Sequence, residues 1–197
     1  MNVNDNINME YEARVMITQN QYSLIKKSYL ESGVSHRHFI NINHYFDDVN
    51  LSLTNKGIVL RLRSIDEKKF ELTLKIKGKN GDIEINNPLT SNQAKEIMNN
   101  QRIKNSEMSE MLSKNNIDVS TVKLICSLKT DRIEIQEDDY LLVIDKNNYR
   151  GKEDYNLEVE SSTKPLAIAK IKEICAKFGV EYKKDYISKS RRAIYNL

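Results

Sequence analysis

Apolar and polar residues alternate with a period of two along most of the chain, which predicts strands with two unlike faces. Over residues 9–17, Glu10, Glu12 and Arg14 share one face, while Tyr11, Ala13 and Val15 share the other. Over 58–64, Val59, Arg61 and Arg63 oppose Ile58, Leu60 and Leu62. Over 70–77, Glu71, Thr73, Lys75 and Lys77 oppose Phe70, Leu72, Leu74 and Ile76. A turn at Lys79-Asn80-Gly81 precedes a short strand over 82–86, with Glu84 opposite Ile83 and Ile85. Residues 122–129, 131–136, 140–145 and 155–160 continue the alternation, and 38–47 forms a less regular strand, giving nine strands in all.

Helical signals interrupt the series in three places. Thr18 and Gln21 form a capping box that opens a helix over 18–32, closed by Gly33. The polar, methionine-containing stretch 91–115 reads as two short helices, with Thr90 and Ser106 as caps. Residues 165–178 carry Pro165 in the first turn, Gly179 just past the end, and Ile168, Ile171, Ile174, Cys175 and Phe178 at helical spacing. No internal repeat, low-complexity tract or linker breaks the chain, so a single domain over 1–197 is expected, with a helical insertion at about 90–116. So many short strands in one domain predict an α+β fold built on a closed or nearly closed antiparallel β-barrel, with the helices packed outside it.

Composition narrows the possibilities without deciding among them. The 197 residues carry 31 basic and 28 acidic side chains, a net charge of +3, too balanced to make nucleic acid or an anionic membrane the main partner. No apolar stretch reaches the roughly 20 residues needed to span a bilayer, and the first residues lack a signal-peptide core. Cys126 and Cys175 have no ligand-like spacing and sit in apolar patterns, so they read as buried free thiols in a reducing, cytoplasmic setting. The abundance of Asn, Lys and Ile suggests an AT-rich, bacterial coding genome.

The informative charges are local. Glu10 and Glu12 project from one strand face about 7 Å apart, and Asn156, Glu158 and Glu160 repeat the geometry far along the chain. Carboxylates in this arrangement suit Mg2+ or Mn2+, hard cations that prefer oxygen ligands, and Asp145 could add another. Arg61 with Arg63, and Lys75 with Lys77, supply forks and point charges that match phosphate oxygens. A charged strand face is ordinarily just the solvated one. Here several strands repeat the pattern opposite apolar faces that helices could cover, which would turn the charges inward, where they must pair or meet a ligand. Both readings stay open on this pattern alone. His36, His38 and His44 lack the companions a zinc site needs. Met98, Met108 and Met111 read as packing residues, and no phosphate-binding glycine loop is present.

Read in order, these residues resemble the CYTH family, also called triphosphate tunnel metalloenzymes, and are most similar to its small bacterial branch. The resemblance begins at Glu10-Tyr11-Glu12-Ala13-Arg14, similar to the family's ExExK opening. It continues through Tyr45-Phe46-Asp47, Leu51, Leu53, Gly57, Leu60-Arg61-Leu62-Arg63, Leu72-Thr73-Leu74-Lys75 and Glu84. It runs on through Leu128-Lys129-Thr130-Asp131-Arg132, Asp145, Tyr149 and residues 154–160, and closes at Ser188-Lys189-Ser190-Arg191-Arg192, so it covers nearly the whole chain. It implies an eight-stranded antiparallel tunnel. Within it, Glu10, Glu12, Glu158 and Glu160 would hold metal, with Asp145 and Glu84 as further candidates. Arg61, Arg63, Lys75, Lys77, Arg132, Lys189 and Arg192, or Arg191 in its place, would contact phosphates. Arg14, Lys75 and Arg132 stand as the candidate catalytic residues.

Two positions depart from the family pattern. Arg14 stands where the family usually has Lys, replacing a tunable ammonium by a cation that stays charged and can act only electrostatically. On this reading Arg14→Lys keeps turnover and Arg14→Met loses it. Asn156 replaces the first acid of the usual ExExE run. The resemblance implies metal-dependent hydrolysis of inorganic triphosphate, thiamine triphosphate or a nucleoside triphosphate by a monomer or homodimer. The alternatives are a class IV-type adenylate cyclase and a polyphosphate- or nucleotide-binding module without turnover.

Overall fold

The computed structural model describes residues 11–78, 83–100, 106–185 and 187–197. Eight strands are present among them: β1 (Tyr11–Ile17), β2 (His36–Asp47), β3 (Ile58–Ile65), β4 (Lys69–Ile76), β5 (Ile83–Leu89), β6 (Lys123–Gln136), β7 (Tyr140–Tyr149) and β8 (Lys152–Ser161). They form one antiparallel sheet in the order β1-β8-β7-β6-β2-β3-β4-β5, so the expected α+β class with eight antiparallel strands holds. The alternation predicts nine strands because it reads 122–129 and 131–136 as separate. No turn residue stands at Lys129-Thr130, and the two run on as the single long β6. β5, β7 and β8 also extend past their expected ends.

The chain divides into two compact units. One holds Asn41–Leu128 and Lys189–Leu197; the other holds residues 11–40 and Lys129–Ser188. β2 and β6 each contribute residues to both.

In the second unit, α1 (Gln19–Glu31) and α5 (Lys164–Lys177) cover the apolar faces of β1, β8, β7 and the end of β6. The Thr18–Gln21 capping box forms as expected: Thr18 Oγ1 accepts from Gln21 N and Gln21 Oε1 accepts from Thr18 N. α5 is capped by Thr163 and carries Pro165 in its first turn. Val15, Ile133, Ile144, Leu157, Ile171 and Ile25 interlock in the layer between. Burying each contributes about 2 kcal/mol, which leaves the opposite, charged faces free to be chosen by function.

In the first unit, α3 (Ser91–Asn100) and α4 (Ser106–Lys114) pack on the apolar faces of β3, β4 and β5. Met108 and Leu112 are fully buried there, with Met98 and Met111 beside them, as the packing reading of these methionines requires. Thr90 caps α3 through Gln93, whereas Ser106 is the first residue of α4. Two further helices, α2 (Ser52–Asn55) and α6 (Lys189–Tyr195), are not among those the sequence pattern predicts.

The Tyr45-Phe46-Asp47 and Leu53/Gly57 motif residues have local structural roles. Buried Asp47 accepts from Asp48 N, Leu53 N and Thr54 N, each at 2.9 Å, and from Thr54 Oγ1 at 2.6 Å, nucleating α2. Gly57 has φ +71°, and a side chain there would press on Lys77 Cβ at 3.2 Å, so both conformation and space demand glycine. Among the described residues no helix is long and apolar enough to cross a membrane. Cys126 and Cys175 are buried and unbridged.

Candidate active site

Strand register sorts the charged residues into rows. In the second unit β1 pairs with β8 so that Glu12 faces Glu160 and Arg14 faces Glu158. β8 pairs with β7 so that Asn156 faces Asp145, and β7 with β6 so that Asp145 faces Arg132. Glu12, Arg14, Arg132, Asp145, Asn156, Glu158 and Glu160 therefore share one face, as the alternation predicts. Glu10 lies outside the described residues.

Glu158 stands at the centre of this face, buried and accepting from two arginines. Arg14 Nε donates to its Oε1, and Arg132 Nη2 donates to its Oε2 at 3.2 Å. Arg132 also grips the fully buried Asp145 with two parallel bonds of 2.9 Å and lies 3.7 Å from Glu134. Arg14 Nη2 meets Glu12, and its Nη1 donates to the carbonyl of Ile187 at 3.2 Å and sits 3.7 Å from Asp185. Burial works against charge on both guanidiniums, but the surrounding carboxylates more than offset it and keep both arginines charged. Arg14 does point onto the Glu12/Glu158 face. Its direct partners there are carboxylates and a backbone carbonyl.

A buried polar chain continues the rows. Asn147 Nδ2 donates to Asn156 Oδ1 at 2.7 Å and to Asp154 Oδ1 at 2.9 Å, Asn147 Oδ1 accepts from Thr130 Oγ1 at 2.8 Å, and Tyr149 Oη donates to Asp154 at 2.7 Å. An amide at 156 is thus accommodated by hydrogen bonding to another amide.

In the first unit β3 is the central cationic strand. Arg61 and Arg63 share its charged face, opposite Tyr45 and Asn43 of β2 and opposite Thr73 and Glu71 of β4. Arg63 Nε donates to Asn43 Oδ1 at 3.1 Å. Glu84, across from Lys75 in the register, lies 3.7 Å from both Arg61 Nη2 and Lys75 Nζ and bridges them. Tyr45 is buried beside Arg61, Arg63 and Arg192; burial pushes its phenol upward while the three guanidiniums pull it down. Of the two candidate arginines on α6, Arg192 is the buried one, and Arg191 is exposed over the Tyr195 ring. Lys189 opens α6, half-buried. Lys77 lies just beyond β4, exposed, with its N–H bonded to Gly57 O.

Among the described residues no three His, Cys, Asp or Glu side chains gather as a ready-made metal centre. The donor chemistry nonetheless fits a hard divalent cation. Glu12, Asp145, Glu158 and Glu160 offer only carboxylate oxygens on one face, and Mg2+ needs just one or two of these beside water and phosphate. His38 meets Asp131, and His44 Nδ1 meets Ser127 Oγ at 2.7 Å.

Sequence reasoning missed Glu134 and Asp185. Glu134 shares Arg132's face two residues on, so alternation carried that signal. Asp185 lies in an irregular stretch with no periodicity to read.

The family profile of the CYTH domain matches residues 8–194. YjbK of Bacillus subtilis (strain 168), which bears a triphosphatase name, is 32% identical over 122 residues. That stretch spans 61% of this chain and 61% of that protein, so the chain covers less than two thirds of this relative. A solved structure from Bacillus halodurans, named for an adenylate cyclase, superposes with a TM-score of 0.82 at 26% identity, covering 94% of this chain and 97% of that one. HpAC1 from Hippeastrum, described as having a dominant triphosphatase activity, gives a TM-score of 0.76 over 95% of this chain and 96% of that one. At 18% identity this second likeness speaks to the fold alone.

Proposed function

Because the chain belongs to the CYTH domain family, we propose that it is an enzyme that hydrolyses a triphosphate-bearing substrate with a divalent metal ion, Mg2+ or Mn2+. The carrying observation is the gathering of charge by strand register, carboxylates with Arg14 and Arg132 on one face and cations with Glu71 and Glu84 on another. Carboxylates Glu12, Asp145, Glu158 and Glu160 share one face, and Arg61, Arg63 and Lys75 share another with Arg192 close to Tyr45. The triphosphatase name of YjbK supports the same reading. Residues 1–197 would work as one CYTH domain with 90–116 as a helical insertion.

Each group has an assigned task. Glu12, Asp145, Glu158 and Glu160, with Glu10, would hold the ion, and Glu84 is a weaker candidate because it already bridges Arg61 and Lys75. The ion, when bound, would neutralise phosphate oxygens and polarise the attacking water. Arg61 and Arg63 would take phosphate oxygens with their forks; Lys75, Lys189 and Arg192 would add point charge and Lys77 a peripheral one. Arg132 is held charged by Asp145 and Glu158, poised to stabilise charge developing on the transferred phosphoryl group.

A phosphate-release assay with tripolyphosphate, thiamine triphosphate and ATP, run with Mg2+ and Mn2+ in turn, tests this. Metal-dependent phosphate release is expected, lost in Glu158→Gln with the circular dichroism spectrum retained. The adenylate cyclase name of the Bacillus halodurans relative makes cyclisation the second reading. Cyclic AMP with pyrophosphate would establish that instead, and tight binding without product would make the protein a binding module.

A further inference from the structure

Arg61 and Arg63 share one face of β3 but are held in different ways. Along β2, Asn43 and Tyr45 alternate onto one face, and both are buried. Register sets Tyr45 opposite Arg61 and Asn43 opposite Arg63. Residues directly opposite in an antiparallel pair project to the same side of the sheet, close enough for their side chains to meet. Arg63 uses this closeness: its Nε donates to Asn43 Oδ1 at 3.1 Å, and Asn43 is only 6% exposed. Arg61 Nε, by contrast, is buried with no hydrogen-bond partner among the described residues. Arg61 instead meets a carboxylate at its tip, with Nη2 lying 3.7 Å from Glu84.

We propose that Asn43 is a positioning residue that aims Arg63 at the phosphate chain without offsetting its charge. A long arginine side chain loses rotamer freedom when it binds, and a contact that fixes it beforehand lowers that cost. Nε sits at the root of the guanidinium, so a bond there fixes the plane of the fork while drawing on neither terminal nitrogen. An amide oxygen is also neutral. A carboxylate at the same place would fix the fork too, yet would cancel much of the charge that attracts phosphate. The bond serves Asn43 as well, since a buried acceptor left alone is costly. Asn43 thus acts on binding through Arg63 and not by touching phosphate. The effect on affinity rests on the phosphate-binding role of Arg63 proposed above.

Two measurements on the whole protein test this role. The first is the rate at which the Arg63 Nε proton exchanges with water, read by NMR with no ligand added and assigned by its loss in Arg63→Lys. Asn43→Ala should speed that exchange about tenfold, the factor expected from losing one hydrogen bond to a charged group. Asn43→Asp still accepts from Nε and should leave it slow. Asn43→Ser, polar but too short to reach Nε, stands in should Asn43→Ala not fold. The second is calorimetric binding of tripolyphosphate. Asn43→Ala should weaken it by about tenfold in the wild-type and Arg61→Ala backgrounds. Beside Arg63→Ala the loss should be less than about twofold, since a residue that acts through Arg63 has nothing left to act through. Asn43→Asp should weaken binding at least as much as Asn43→Ala, through charge alone.

Unchanged Nε exchange in Asn43→Ala would overturn the hold on Arg63. Equal losses of affinity with and without Arg63 would overturn the route through it, and full affinity in Asn43→Asp would overturn the need for a neutral partner. A wild-type protein that binds no tripolyphosphate would overturn the effect on affinity together with the phosphate-binding role of Arg63, and the exchange rates alone would then uphold or overturn the hold. Binding without phosphate release would count against the hydrolase reading alone and leave the role of Asn43 intact.

Discussion

Arg132 meets Asp145 edge to edge, Nε to Oδ1 and Nη2 to Oδ2, both at 2.9 Å, with the carboxylate fully buried. Each partner removes a charge that the other could not bear alone. Breaking such a pair on one side costs about 3 kcal/mol, because a charge is left buried without its counterion. Glu158 still accepts from Arg132, which softens the loss. Asp145→Asn should therefore lower the urea midpoint of the metal-free protein by the equivalent of about 2 kcal/mol. Asp145→Asn with Arg132→Met should lose less than the two single changes summed. Strict additivity would show that the bidentate contact carries no coupling.

Arg61 and Arg63 sit two residues apart on one face of β3, each with its own cross-strand partner. A chain of phosphates can engage both forks, whereas a single phosphate engages one. Arg61→Ala and Arg63→Ala should each weaken tripolyphosphate binding by about 100-fold, as loss of a charge-assisted bidentate contact does, and orthophosphate binding far less. Equal losses for both ligands in titration calorimetry would rule out a site that spans several phosphates.

Asp47 accepts four hydrogen bonds around the start of α2. Its removal strands three backbone donors near the buried Leu53. Asp47→Ala should destabilise the fold by about 3 kcal/mol, and Asp47→Asn by about 1 kcal/mol, since an amide oxygen still accepts. Denaturant titration separates these values. A loss of activity without any loss of stability would mean that Asp47 acts on chemistry.

Burial holds the pKa of His44 below its ordinary value of 6.5. The unfolded chain therefore takes up a proton at His44 before the folded chain does. Unfolding is favoured as pH falls through the ordinary value, and above it this contribution vanishes. Urea midpoints at about pH 7.5 and about pH 5.5 should fall on acidification in the wild type, and fall less in His44→Gln. An identical fall in both would remove His44 as a source.

Period-two alternation is a local property, and it was enough to place Glu12 with Arg14, Arg61 with Arg63, and Glu158 with Asn156 and Glu160. Capping chemistry is local too, and it fixed α1 and α5 through Thr18, Gln21 and Pro165. The local signals fell short where a helix is brief. α2 is four residues nucleated by the carboxylate of Asp47, and α6 is seven residues with no apolar stripe long enough to read.

By itself the sequence determined which side chains share a strand face, where the longer helices begin, and an ordered motif set that fits one family. Only the tertiary structure decided which charge meets which. Strand register puts Glu158 between Arg14 and Arg132, and makes Glu84 a bridge between Arg61 and Lys75. Tertiary packing outside the strands also brings Ile187 to Arg14 from 173 residues away. The reason is that alternation repeats every two residues and is written in each strand alone. Register, by contrast, is set by how distant strands slide past one another until their buried faces match. A one-residue slip would leave every strand's composition unchanged and exchange every ion pair.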